Sequence, residues 1–286
     1  MPVSVEGVTE RKFVDDRDFS SQENEAENMQ DLIVKEFHKL EKEKGIRILY
    51  AVESGSRAWG FASRDSDWDV RFIYIHHPDW YLQIGKVRDN MVEITPDNID
   101  FVGWDFKKTL QLFRKSNPPL LEWLRSPIVY HQYSPAVERM RELSRIYFNR
   151  KTCLNHYYNI AASSFEQYLS NGKMKIKKFF YVIRPLLACS WILERNMPVP
   201  VEFRVLLQEQ VKDKAIKDRI LDLMEIKAAG NEQDHIEQNT HLHEYLLDML
   251  KDYKEKLGSF PDTKPPDPEP LNKLFREVIF GKSWTI

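Results

Sequence analysis

Cysteine is nearly missing from this chain. Cys153 and Cys189 are the only two in 286 residues, both in helix-like stretches and without the paired spacing of a zinc site. A disulfide scaffold is thereby excluded, and two reduced thiols in a cytoplasmic protein are expected. Also absent is any run of about eighteen apolar residues, the length a membrane-spanning helix needs. The N-terminal MPVSVEGVTERKFVDDRDFS has no basic start followed by an apolar core, so no secretory signal is expected. The net charge of −2 leaves no excess of positive charge for an all-over basic, nucleic-acid-coating surface. Internal repeats are lacking, and the one low-complexity stretch is FPDTKPPDPEP (260–270), expected to run as an extended, proline-stiffened crossing.

What is present reads as soluble and globular: 42% hydrophobic and 30% charged residues with a mean hydropathy of −0.54. Charge is unevenly spread. NGKMKIKK (171–178) and FNRK (148–151) are basic, 213–258 is mixed and 262–269 is acidic. A basic face of this kind suits phosphate groups, and equally an ordinary solvated helix surface.

Periodicity divides the chain in two. A helix is expected over 21–44, capped by Ser20 or Ser21, with Met29, Leu32, Ile33, Phe37 and Leu40 on one face and Gly45 as its stop. IRILYAVE (46–53) reads as a buried strand, DWDVRFIYI (67–75) as a second stopped by HHPDW, and 98–104 as a third. Residues 80–92 could add a hairpin arm, and SPIVYH (126–131) another strand. From 105 onward the pattern is mostly helical, through stretches such as PLLEWLRS, TCLNHYYNIAASSFEQYLS, KIKKFFYVIRPLLACSWILERN and HIEQNTHLHEYLLDMLKDYKEKLG, with LNKLFREVIFG as a short helix docking back. The expected architecture is an α/β (α+β) core with a small mixed sheet over 1–135, an α-helical domain over 136–258 and a proline-rich tail over 259–286.

Chemistry concentrates in GSRAWGFASRDSDWDVRFIY (55–74). Residues two apart on a strand share a face, so Asp67 and Asp69 are expected side by side, with Trp68 and Val70 on the buried side. Two neighbouring carboxylates raise each other's proton affinity unless a cation neutralises them. Mg²⁺ takes one or two carboxylates and completes its shell with phosphate and water. Gly55 and Ser56 follow a strand and precede a helix, a turn whose amides can hold phosphate. An acidic surface loop is the plain alternative. The histidines offer less: His76 and His77 mark a turn, while His235, His241 and His243 are expected on one polar helix, and no zinc site is expected.

Gly-Ser, ten residues, then Asp67-Trp68-Asp69-Val70 resembles the signature of the DNA polymerase β-type nucleotidyltransferase superfamily. Ser54 departs from it, since a hydrophobic residue commonly precedes the glycine. GSRAWGFASRDSDWDVRFIY, LFRKSNPPLLEWLRSPIVY and KKFFYVIRPLLACSWI together resemble predicted nucleotidyltransferases associated with RNA repair and RNA ligases, over roughly 50–195. The resemblance implies a nucleotidyltransferase core and a third carboxylate on a later strand. Asp100, between Ile99 and Phe101, is the best match, with Glu93, Asp97 and Asp105 as rivals and Asp105 suited instead to capping the next helix.

On a helix, Lys177, Tyr181 and Arg184 fall on one face with Lys178 beside it. That stripe could hold a triphosphate and stack a nucleoside, or be a snorkelling surface stripe; Pro185 is expected to kink or restart the helix. Arg57 is a further phosphate candidate. Asn117, Glu122 and Trp123 read as structural. The resemblance implies that Asp67, Asp69 and Asp100 hold two Mg²⁺ ions, with Mn²⁺ as a substitute. Gly55, Ser56 and the basic residues would hold an NTP whose NMP passes to a hydroxyl with release of pyrophosphate. An RNA 3′ end, tRNA-like, is the expected acceptor. NMP transfer to a protein hydroxyl or small molecule, or a catalytically silent nucleotide- or RNA-binding module, are the alternatives.

Overall fold

The computed structural model of the protein describes residues 16–63, 66–95, 99–133, 135–171, 173–230, 235–237 and 240–281. The chain divides into two units, Met1–Lys44 and Gly45–Ile286. The described part of the first is helix α1 (Asp16–Lys44), with its apolar positions recurring every three or four residues and Lys42 and Lys44 in its last turn, where they oppose the helix dipole. The helix begins ahead of Ser20 and Ser21, which lie inside it. A capping side chain contributes only about 1 kcal/mol, too little to fix a helix start by itself.

The second unit is built on a five-stranded mixed sheet in the order β3-β4-β2-β1-β5. Its strands are β1 (Ile46–Glu53), β2 (Trp68–His76), β3 (Asn90–Ile94), β4 (Ile99–Asp105) and β5 (Val129–Gln132). β1 is buried at all but one position and lies between β2 and β5, as its near-continuous apolar run predicts. The expected arm within 80–92 proves to be the short helix α3 (Pro78–Tyr81) followed by β3, which pairs antiparallel with β4. His76 closes β2 stacked on Trp80 at 3.9 Å. β2 and β4 run parallel, with Phe72 opposite Gly103. A side chain at 103 would put its Cβ 2.3 Å from the Phe72 ring, so only glycine lets that ring lie across β4.

Between β1 and β2 sits helix α2 (Gly55–Trp59). α4 (Phe106–Arg114) is capped by Asp105, whose side chain accepts from the Lys107 N–H at 2.8 Å. Asn117 caps α5 (Pro118–Trp123) in the same way. The remaining elements are α6 (Ala136–Tyr147), α7 (Arg150–Asn171), β6 (Lys173–Lys175), α8 (Ile176–Arg195), α9 (Phe203–Gln210), α10 (Lys214–Ala228), β7 (His235–Glu237), α11 (His241–Leu257) and α12 (Glu269–Phe280).

Some details differ from the sequence reading. α8 runs through Pro185 as one helix rather than restarting there, and the residues around it, Val182 to Cys189, are all buried. α9 escaped notice because a short apolar segment carries too few periods to show. His235 is not helical: it pairs with Lys175 in the β6–β7 ribbon, and α11 starts afresh with Thr240 accepting from the His243 N–H.

One hydrophobic core includes Leu49 and Ile73 of the sheet, Phe113 of α4, Phe179 and Leu186 of α8 and Leu271 of α12. α12 docks as expected: Phe275 meets Phe106 and Tyr81 at 6.1 and 5.2 Å, and Arg114 Nε donates to the Pro266 carbonyl at 2.9 Å. Cys153 and Cys189 are buried free thiols, and burial pushes Cys153 up to about 12. Among the described residues, no helix is long and apolar enough to cross a membrane.

Candidate active site

Gly55 has φ +60°, and a Cβ there would lie 2.1 Å from Asp69 Oδ2. Both the backbone angle and the closeness of the carboxylate therefore require glycine. The turn is fastened to β2 by the Ser54 N–H, which donates to the Asp69 carbonyl at 2.9 Å. α2 opens at this point, and the first N–H groups of a helix have no partner within it. Gly55, Ser56 and Asp69 are thus one local structure.

The parallel register sets Asp69 opposite Asp100. Their carboxylates converge on a single nitrogen: Arg71 Nη2 donates to Asp69 Oδ1 at 2.8 Å and to Asp100 Oδ2 at 3.0 Å. Arg71 Nη1 also donates to the Asp100 carbonyl at 2.9 Å. Burial first, then the charges of Asp100 and Asp67, raise the Asp69 carboxyl above its usual range, and the Arg71 guanidinium opposes them. Two carboxylate oxygens aimed at one cationic point form an oxygen-only set that fits a hard divalent ion. Among the described residues, no three His, Cys, Asp or Glu side chains form a ready-made metal cluster.

Asp67 lies just outside the strand, which begins one residue later at Trp68. It stands exposed on the preceding loop, near enough for its charge to act on Asp69. Trp68 is not core either: the Arg57 guanidinium lies 3.8 Å over its ring. Arg57 further donates to the carbonyls of Ser66 at 2.8 Å and Asp67 at 3.2 Å, so this phosphate candidate holds the Asp67 loop in place.

Of the rivals to Asp100, Glu93 sits opposite Phe101 in the β3–β4 register and so faces away from Asp100. Asp105 caps α4 and accepts from the Tyr81 hydroxyl at 2.6 Å. Asp97 lies outside the described residues.

Two polar residues of this region escaped the sequence reading. Arg71 is one. The other is Glu53, fully buried at the end of β1, where it accepts from the Asp69 N–H at 2.9 Å and from the Tyr130 hydroxyl at 2.5 Å. Burial pushes its carboxyl up to about 7, against the pull of those hydrogen bonds. A lone acid closing an apolar strand was the only sequence signal.

The α8 stripe is divided. Lys178 is exposed, 5.8 Å from the Tyr181 ring, and Lys177 lies half-buried one residue before it. Arg184 is 3% exposed and pairs with Glu122 at 3.0 Å, with its guanidinium 4.3 Å over Trp59. Glu122 also accepts from the Tyr157 hydroxyl at 2.6 Å and from Trp59 Nε1 at 3.3 Å. Trp123 stacks on Trp104 at 3.8 Å. Glu122 and Trp123 are structural, as expected, and Arg184 has been drawn into their network.

The model of the RNA repair pathway DNA polymerase beta family matches residues 29–277. A Bacillus subtilis (strain 168) relative, described as uncharacterized protein YcgL, is 40% identical over 251 residues, covering 88% of this chain and 96% of its own. The crystal structure of a nucleotidyltransferase-like protein from Exiguobacterium sibiricum 255-15 superposes at a TM-score of 0.32 with 12% identity, covering 85% of this chain and 78% of that one. That last likeness is slight.

Proposed function

The chain belongs to the RNA repair pathway DNA polymerase beta family, and from that premise we propose that it transfers NMP from an NTP to a hydroxyl at an RNA 3′ end, in the cytoplasm. In the proposed step the hydroxyl oxygen attacks the α-phosphorus in line. The new O–Pα bond forms as the bond from Pα to the bridging oxygen breaks, and pyrophosphate leaves. One observation carries this reading: Asp69 and Asp100 converge on one cationic nitrogen beside the Gly55–Ser56 turn.

Asp69 and Asp100, with Asp67 from the loop, suit two Mg²⁺ or Mn²⁺ ions, which when bound supply Lewis-acid activation of the α-phosphate and of the acceptor hydroxyl. The backbone amides and hydroxyl at Gly55 and Ser56 receive the β- and γ-phosphates. Lys177 and Lys178, at the start of α8, face the negative charge of the phosphate chain. Arg71 balances the charges of Asp69 and Asp100. Arg57 acts through the loop, holding Asp67 in reach. Asp100 takes the hydroxyl proton.

The test incubates the protein with each α-labelled NTP, Mg²⁺ or Mn²⁺, and total RNA. Label is expected on RNA 3′ ends, removable by 3′ exonuclease. Label on a protein or small molecule would move the acceptor assignment to that class. Label transfer surviving in the Asp67→Ala, Asp69→Ala double variant would overturn the reading.

A further inference from the structure

We propose that Glu53 is a positioning residue: its buried side chain holds the Asp69 backbone, and through it sets the Asp69 carboxylate in the site. Its part in the reaction rests on the transferase reading, whereas the hydrogen bonds themselves do not. β1 pairs with β2 as far as Glu53 opposite Val70, and past that pair α2 begins at Gly55. The Asp69 carbonyl is still reached by the Ser54 N–H at 2.9 Å. The Asp69 N–H finds its acceptor in a side chain instead, Glu53 Oε1, at 2.9 Å. Asp69 is thus held on both sides of its Cα, and its carboxylate can turn only about its own side-chain bonds. The close approach of Gly55 to Asp69 Oδ2 limits those turns as well.

Glu53 is itself fastened at every polar group. Its N–H donates to the Ile128 carbonyl at 3.0 Å, its carbonyl accepts from Ser126 Oγ at 2.6 Å, and its Oε2 accepts from the Tyr130 hydroxyl at 2.5 Å. A strut therefore runs from β5 across the end of β1 to Asp69. With 0% exposure and both carboxyl oxygens engaged, Glu53 touches neither ion nor substrate and acts through Asp69. Burying a carboxyl is unfavourable. An apolar side chain would fill the same space without that cost, but would leave the Asp69 N–H with no acceptor. What position 53 supplies is reach, an oxygen placed at the Asp69 N–H, rather than charge. Its loss matters to the reaction because a shift of about 1 Å in a reacting group can cost about a hundredfold in rate.

Two variants of the full chain separate reach from charge. Glu53→Gln keeps the reach and loses the charge, whereas Glu53→Asp keeps the charge and falls one methylene short. In protein carrying nitrogen-labelled aspartate, NMR follows exchange of the Asp69 amide with solvent. Exchange should be slow in the wild type and in Glu53→Gln, and about tenfold faster or more in Glu53→Asp. The Mn²⁺ affinity of the site, measured as the binding lost in Asp69→Asn, should stay within about threefold of wild type in Glu53→Gln and fall about tenfold or more in Glu53→Asp. The kcat for label transfer should follow the same order, with the KM for NTP changed less. If Glu53→Asp does not fold, Tyr130→Phe takes its place, with a weakening of about threefold expected. Equal losses in Glu53→Gln and Glu53→Asp would mark a merely structural acid and overturn the proposal, as would the reverse order. Faster Asp69 exchange in Glu53→Asp, with no transfer by the wild type, would defeat the transferase and leave Glu53 as the holder of Asp69. Transfer undiminished in folded Glu53→Asp would defeat only the positioning role.

Discussion

Gly55 and Asp69 define each other. With φ at +60° and a Cβ position 2.1 Å from Asp69 Oδ2, Gly55→Ala must either twist the turn or displace the carboxylate. The expected cost is about 1–3 kcal/mol of stability, read by urea denaturation, with label transfer reduced at least a hundredfold. Glu53 gives a pH prediction. Its carboxyl, ordinarily near 4.5, is pushed to about 7 in the fold, so between those values the folded state keeps a proton that the unfolded chain has lost. Stability therefore falls as pH rises through that window, by on the order of 3 kcal/mol when complete. Glu53→Gln should flatten the fall between pH 5 and 8, and an unchanged slope would refute the assignment. The Gly55–Ser56 turn and Asp69 stood out by residue type and spacing, and Asp100 was singled out by the resemblance, with its rivals left open. Arg71 and Glu53 were not singled out, since the partners that give them meaning, Asp100 and Tyr130, lie 29 and 77 positions away.

Among the elements, the strands were the most readable, because β1 and β2 are apolar runs ended by turn residues. What the sequence could not show is how they pair. The parallel β2–β4 register, which faces Asp69 with Asp100, depends on the backbone passing under Phe72 at Gly103. Gly103→Ala should cost about 1–3 kcal/mol through overpacking, and Phe72→Leu in the same chain should recover part of it, as thermal denaturation would show. The β6–β7 ribbon was misjudged because local preferences of about 1–3 kcal/mol yield to packing from distant segments. α12 was read correctly as docking, and Leu271, Leu274, Val278 and Ile279 are its buried contacts. Ending the chain after residue 258 should lower stability by on the order of 5 kcal/mol, given roughly 1.5–3 for each buried aliphatic side chain and some compactness in the unfolded state.

The molecule as a whole has a net charge of −2, so an RNA acceptor must be held by local basic surface rather than by a general field. If the acceptor is a polynucleotide, the apparent affinity for it should fall steeply with salt, with a log–log slope of several between about 50 and 200 mM. A shallow slope would point to a small or protein acceptor. The most direct test of the centre itself is pyrophosphate release measured alongside label transfer from α-labelled NTP, for the wild type, Asp69→Asn and Asp100→Asn. The account predicts one pyrophosphate per transferred NMP, strictly dependent on a divalent ion and lowered at least a hundredfold in each folded variant. Undiminished release in Asp69→Asn, or transfer without any divalent ion, would contradict it.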